Sequence, residues 1–334
     1  MPAVTGTRQH RLAVATLVLC TLLWSTAGVV TRQLEHAGGF ELTFWRSLSC
    51  VLFVGGYLIA TSRSRWLAVV TACGVPGIVS GVMWAVMFTC FMIALTITTV
   101  AKTLVVMAVA PLLTAVLAWL VLKERIAPRT WMAVLVAGAG IVWMVRDGLQ
   151  TGEGSSGLWG MLVAAGVPLA SAVNLINMKR QQAAVDLVPA ILIGGLISCL
   201  AMLPLILPTR ATGHDILLLS ILGGFQLGLP CILMIRAARY LSPQETALLS
   251  LLEVVFGPLW AWLGAGEQPA AATLYGGALI LAALLANELL APKREHANAA
   301  ARPAAADPAP ATDPAAAAAS AGAQAVRMTK SKLA

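Results

Sequence analysis

Apolar residues run along this chain in ten blocks, each long enough to cross hydrocarbon as a helix, since roughly 20 apolar residues span a bilayer core. The blocks lie near 13–31, 40–60, 70–94, 99–121, 129–146, 157–178, 187–207, 216–238, 244–264 and 271–291. The third has the least distinct boundary. The stretch from Leu67 to Thr98 is too long for one simple span, and Gly74-Val75-Pro76-Gly77 is expected to break it near its start. Helices are expected throughout, because an open sheet would leave backbone groups unpaired in lipid. The first block does not read as a cleaved signal: it has no clear small-residue cleavage site, and Arg32 follows a full-length apolar run.

The blocks repeat. Ala94 to Arg125 reads ALTITTVAKTLVVMAVAPLLTAVLAWLVLKER, and Ala237 to Gln268 reads AARYLSPQETALLSLLEVVFGPLWAWLGAGEQ. One ungapped shift lays Ala118-Trp119-Leu120 on Ala261-Trp262-Leu263 and Glu124 on Glu267. A duplicated set of membrane helices points to a transporter, because an interface between repeats near the bilayer midplane opens alternately to each side.

Composition supports this reading. Hydrophobic residues make up 59% of the chain and charged residues 11%, with a mean hydropathy of +0.85; a soluble domain is excluded. The net charge of +8 is spread over separate loops, which argues against nucleic acid as a partner. Placing the N-terminus in the cytoplasm puts Arg8, Arg11, Arg63, Arg65, Lys123, Arg125, Arg129, Lys179, Arg180, Arg236, Arg239, Lys293 and Arg294 inside. Only Arg32, Lys102, Arg146 and Arg210 then fall outside. Both termini are therefore expected in the cytoplasm. Each half then has an odd number of spans, so the halves are inverted relative to each other. The six cysteines (Cys20, Cys50, Cys73, Cys90, Cys199 and Cys231) lie in or beside apolar blocks with no CxxC pair. They read as small buried residues, neither disulfides nor metal ligands.

The expected organisation is a cytoplasmic N-terminus over 1–12, a five-helix repeat over 13–146, a linker over 147–156, a second five-helix repeat over 157–291 and a tail over 292–334. The tail is Ala/Pro-rich and poor in large apolar residues, so disorder is expected there.

These features resemble the drug/metabolite transporter superfamily, and within it the EamA-like transporter family. The resemblance is carried by Leu23-Trp24-Ser25, Phe44-Trp45-Arg46-Ser47, Ala94-Leu95, Ala110-Pro111-Leu112-Leu113 and Leu122-Lys123-Glu124-Arg125 in the first half. In the second half it is carried by Leu251-Leu252-Glu253-Val254-Val255 and by Trp260 to Gly266 followed by Glu267. It covers roughly residues 13–291. It implies an all-α integral membrane protein of ten transmembrane helices in two inverted five-helix repeats, set in the cell inner membrane. It also implies a carrier of small organic solutes such as amino acids, other metabolites or drugs, with export common among bacterial relatives. This chain departs from the pattern at Glu253-Val254, where many relatives read Glu-Pro, and at Lys102, where a neutral small or amide residue is expected.

Six residues are candidates for substrate binding or coupling. Glu253 lies about ten residues into its span, near the bilayer middle. It is either a carboxyl that exchanges a proton during transport or a protonated acid bonded to a neighbouring helix. Arg46 holds a substrate carboxylate, pairs with Glu253 or Glu41, or snorkels outward. Lys102 falls in the first turn of the fourth span, where the helix dipole disfavours a cation. It is either part of an anion site or a lysine whose head reaches extracytoplasmic water. Its repeat equivalent, Glu245, has a structural explanation as the acid of a capping box, Ser242-Pro243-Gln244-Glu245. Asn174, with Asn177 one turn on, bridges helices or contacts substrate, and Gln226 has the same two readings. Trp24 and Trp84 line an adaptable cavity with Met83, Met87 and Met92, or are ordinary packing. Trp45 reads as an interfacial anchor.

There is no Walker motif, no HExxH and no catalytic Ser/His/Asp grouping. No cofactor or metal is expected, and the partners are a small-molecule substrate, the lipid bilayer and, as coupling ion, protons. The functional expectation is a secondary-active exporter driven by a proton or exchange gradient, acting as monomer or homodimer. A membrane-embedded enzyme or a non-transporting scaffold or sensor are the competing classes; a solute-flux measurement separates all three.

Overall fold

The computed structural model describes residues 3–123, 126–150, 154–180, 188–237, 240–241 and 243–290. Among them, ten helices are long and apolar enough to cross a membrane: Arg8–Thr31, Gly39–Ser62, Gly74–Ile97, Val100–Leu122, Pro128–Gly148, Gly157–Asn177, Val188–Leu205, Gly213–Ala237, Leu248–Ala265 and Ala271–Leu289. They are called the first to tenth spans below. No strand occurs among the described residues. The expected break before the third span is present. Gly74, at a φ of +53°, separates a short helix, Trp66–Thr71, from the span itself. The linker is narrower than expected, since helix runs on to Gln150 and resumes at Gly154. The tail over 292–334, and Glu124, Arg125 and Ser242, lie outside the described residues.

The spans pack mainly across the two halves, and the main contacts recur when the halves are exchanged. The first span lies on the eighth and ninth, as the sixth lies on the third and fourth. The second packs on the eighth as the seventh packs on the third. Second on seventh, fifth on tenth and fourth on ninth are self-related pairs. An odd number of spans per half, with this exchange of partners, is the arrangement an inverted repeat produces. Large apolar side chains such as Leu52, Leu135, Trp143 and Leu263 remain exposed on the outer surface. In a membrane that surface meets lipid, so no other covering is required.

Helix interruptions follow the repeat as well. The fourth span consists of Val100–Met107 and Ala110–Leu122, and the ninth is preceded and completed by Pro243–Ser250 and Leu252–Ala265. The shift that lays Glu124 on Glu267 lays Ala108, in the first break, on Leu251, in the second. It also lays Lys123 on Gly266, and these two residues end their helices in the same left-handed conformation, at φ +57° and +67°. The first span breaks at Thr26; the same shift lays the preceding Ser25 on Pro168 of the sixth span, which lies inside a continuous helix. Broken helices at matching positions in both halves are where carriers of this architecture place their sites.

One end of the bundle is bound together through its loops. The Asp215 carboxylate accepts hydrogen bonds from the backbone N–H groups of Glu35, His36, Ala37 and Thr212, at 2.8, 3.2, 3.1 and 3.2 Å. Glu41 accepts from the N–H of Gly38, Arg210 and Ala211 and from the Thr209 hydroxyl. Arg32 donates to Glu267 at 2.7 Å and to the carbonyls of Leu95 and Thr98 at 2.7 and 3.0 Å, while Glu267 also accepts from Val100 N–H at 2.7 Å. The loops after the first, third, seventh and ninth spans are thus joined by charge-assisted bonds.

The eighth span touches the second most closely at Gly223. A Cβ at that position would fall onto the carbonyl oxygen of Arg46 and within 2.6 Å of Ser49 Cβ. Gly223→Ala is therefore expected to destabilise the protein by about 3 kcal/mol, through backbone displacement. Gly138→Ala, where nothing lies within 4 Å, should be close to neutral. Thermal unfolding of both variants in detergent checks this; equal stabilities would show that the second and eighth spans are not in backbone contact.

Candidate functional site

Arg46 lies two turns into the second span and is only 2% exposed. Its Nε and Nη2 both donate to Gln226 Oε1, at 3.3 and 3.1 Å. Its guanidinium carbon sits 5.6 Å from the centroid of the Phe91 ring, a cation–π contact that offsets part of the lost hydration. Its Nη1 is buried with no hydrogen-bond partner. Neither acid proposed from the sequence pairs with it directly. Glu41 is engaged in the loop network above, and Glu253 interacts with Arg46 electrostatically, without an ion pair among the described residues. The third reading, a snorkelling arginine, does not fit a buried guanidinium.

Gln226 joins three spans. While Oε1 receives Arg46, Nε2 donates to the Trp24 carbonyl at 3.0 Å. A glutamine amide has one acceptor oxygen and one donor nitrogen, so only this orientation satisfies both neighbours. Gln226 sits in Leu222–Gly228, a π-helical segment of the eighth span; such wider turns are concentrated at functional sites. Trp24 packs on the same apolar cluster as Trp84, and Trp84 lies 5.4 Å from Phe88, ring to ring.

Glu253 opens the second piece of the ninth span, directly after the break at Leu251. A helix N-terminus favours an acid, which explains how a carboxyl is tolerated there. Glu253 is half-buried and close enough to Arg46 for the two to interact electrostatically. It makes no hydrogen bond or ion pair with the described residues. Phe256 and Trp260 follow on the same helical face, their rings 6.3 Å apart and 21° from parallel. Trp260 Nε1 donates to the Ser25 hydroxyl of the first span at 3.0 Å.

The remaining candidates are more dispersed. Lys102 is 3% exposed, in the first half-helix of the fourth span, where Thr99 Oγ1 caps its backbone N–H at 3.2 Å. A lysine head extended into water is therefore not what the structure has. Asn174 is 6% exposed and its Oδ1 is buried with no partner. Asn177 bridges helices, donating to the Pro76 carbonyl at 2.9 Å. Glu245 pairs with His10 at 3.2 Å, and Ser242 of the expected capping box lies outside the described residues. Trp45 differs from an interfacial anchor. Its Nε1 is buried without a partner, and its ring packs edge-on against Phe44 at 5.2 Å.

The fold thus gathers Arg46, Trp24 and Glu253 in one interior, with Trp84 beside Trp24. The sequence had left Gln226 as a minor candidate and gave no sign of Phe91. A run of hydroxyls was also missed: Ser198 Oγ meets Ser47 Oγ at 3.1 Å and Thr89 Oγ1 at 3.0 Å, linking the second, third and seventh spans. Single serines and threonines in apolar blocks carry no signal of which neighbour they face.

Ten spans in an inverted repeat, with polar groups at helix breaks in the interior, define a membrane carrier. The EamA-like transporter family model matches residues 11–146 and again 158–287, and the chain belongs to that family. The protein is a multi-pass membrane transporter of small solutes. A solved crystal structure resembles it with a TM-score of 0.60 at 21% identity, covering 85% of this chain and 99% of the other; that likeness shows the fold. No curated protein matches the chain.

Proposed function

We propose that this protein is a secondary-active exporter of small organic solutes in the cell inner membrane, with both termini in the cytoplasm. The solute carries a carboxylate, which Arg46 receives, and Glu253 exchanges the proton that couples transport to a gradient. One observation carries this reading. Two groups of opposite charge lie in the same membrane interior, each with capacity left over: a guanidinium with a buried, unpartnered Nη1 and a carboxyl that bonds to nothing described. Structural ion pairs in membranes engage each other directly, because an unmatched charge there is costly. A site that must bind and release leaves its groups open.

The aromatic rings of Trp24, Trp84, Phe91 and Phe256 suit an apolar body on such a solute. The buried position of Lys102 is compatible with a second cationic contact to the same anion. The distribution of Lys and Arg supports the orientation: the end joined by the Arg32–Glu267 pair then faces outward. A periplasm-dependent reporter fused after Arg65 should be inactive, and activity there would reverse the orientation.

The functional test is solute flux in proteoliposomes. A panel of radiolabelled amino acids and their amides, with and without an imposed pH gradient, should show gradient-driven accumulation restricted to carboxylate-bearing members. Glu253→Gln keeps shape and hydrogen bonding but removes titration. It should fold normally and keep exchange, while accumulation falls to the level reached without a gradient. Wild-type accumulation by that variant would remove Glu253 from coupling.

A further inference from the structure

The partner that Arg46 has been given is itself informative. A buried arginine whose role is structural is best matched by a carboxylate, which supplies both geometry and neutralisation. Here the second and eighth spans meet closely at Gly223, and the side chain at 226 reaches the guanidinium, yet the residue present is neutral. Gln226 Oε1 takes two of the donors, at 3.3 and 3.1 Å, and leaves the positive charge intact. Phe91 covers one face of the group. What remains is one buried nitrogen, Nη1, with no partner. Gln226 is itself 4% exposed. It is anchored through Nε2 to the Trp24 carbonyl, two residues before the break at Thr26 in the first span.

We propose that Gln226 is a positioning and specificity-determining residue: it holds the Arg46 fork by one edge without neutralising it, so that Nη1 is left for the carboxylate of the solute. This rests on the reading of Arg46 given under Proposed function. The amide sets the orientation of the fork, because a planar guanidinium held at Nε and Nη2 has its third nitrogen fixed in direction. Its neutrality sets the preference for an anion, because the guanidinium charge is left for the solute to match. Its link to the Trp24 carbonyl ties that geometry to the broken first span.

The consequence is that stability and binding move in opposite directions. Gln226→Glu places a carboxylate on the same two donors and matches the buried charge from within the protein. It should raise the thermal unfolding temperature of the ligand-free protein in detergent and weaken carboxylate binding about tenfold. Gln226→Met keeps the bulk but releases the fork. It should lower the unfolding temperature and also weaken carboxylate binding.

Benzoate and benzamide are suitable probes, being alike in shape and differing in charge, with binding read from ligand-induced thermal shifts. Wild type should bind benzoate more tightly than benzamide, and both variants should lose that preference while still binding benzamide. If wild type does not discriminate, the anionic reading of Arg46 fails and the role of Gln226 falls with it. If wild type discriminates and the variants discriminate equally, Gln226 only fills space and the proposal is overturned while Arg46 stands. If Gln226→Glu does not fold, Gln226→Met alone decides: retained preference for benzoate overturns the proposal, and lost preference supports it.

Discussion

A guanidinium that cannot be neutralised, held in the middle of an apolar bundle, is the constraint around which this protein is arranged. Arginine keeps its charge under all physiological conditions, and no water-filled exterior reaches Arg46 at 2% exposure. The surroundings must therefore substitute for water, and each element near it contributes. The eighth span widens into a π-helical turn that carries Gln226, Gly223 lets that turn rest against the second span, and the third span brings Phe91 over the guanidinium. Glu253, at the start of a half-helix, is the acid in electrostatic contact with it. These arrangements reduce the cost of the charge while leaving Nη1 unmatched.

The inverted repeat explains why such a site can be loaded from one side and emptied to the other. The main packing contacts of one half have counterparts in the other half, the basis on which inverted-repeat carriers rock one half against the other. The halves are not identical, and their differences lie where the chemistry is. The breaks at Ala108 and Leu251 match, but Ala110 occupies the place in the first half that Glu253 holds in the second. The cation Lys102 stands where the second half has Glu245. Symmetry thus supplies the mechanics, and the departures from symmetry supply the polar groups. At the loop end, the bonds of Arg32, Asp215 and Glu41 are what an exchange of packings would have to break.

Much of this was legible in the sequence, for identifiable reasons. Ten spans are visible because lipid demands unbroken apolar runs of a fixed length, and the repeat is visible because Ala-Trp-Leu and a following Glu recur in register. Glu253 was visible because a carboxyl in such a run is expensive. Partners were not legible. Arg46 had two candidate acids on paper, yet Glu41 lies near the end of its helix, where backbone N–H groups from the seventh–eighth loop claim it, and Glu253 remains at a distance. The partner it does have, Gln226, depends on the π-helical turn, and no local residue pattern marks where a helix widens by one residue per turn. Lys102 was expected to have water as an alternative because it lies near a helix start. Burial by neighbouring spans is a property of the assembled bundle, which no single segment shows. Trp45 is similar: tryptophan favours interfaces on average, and here the packing of the second span determines where it goes.

The proposed role of Glu253 requires its carboxyl to be reached by solute, and the reactivity of that carboxyl tests the role most directly. Treatment of the protein in detergent with a hydrophobic carbodiimide, followed by peptide mass spectrometry, reads modification at each acidic residue. The account predicts that Glu253 is modified, that modification stops transport, and that a saturating transported amino acid slows the reaction at Glu253 while leaving exposed Glu35 unaffected. An unmodified Glu253, or modification at an unchanged rate with solute present, would contradict it.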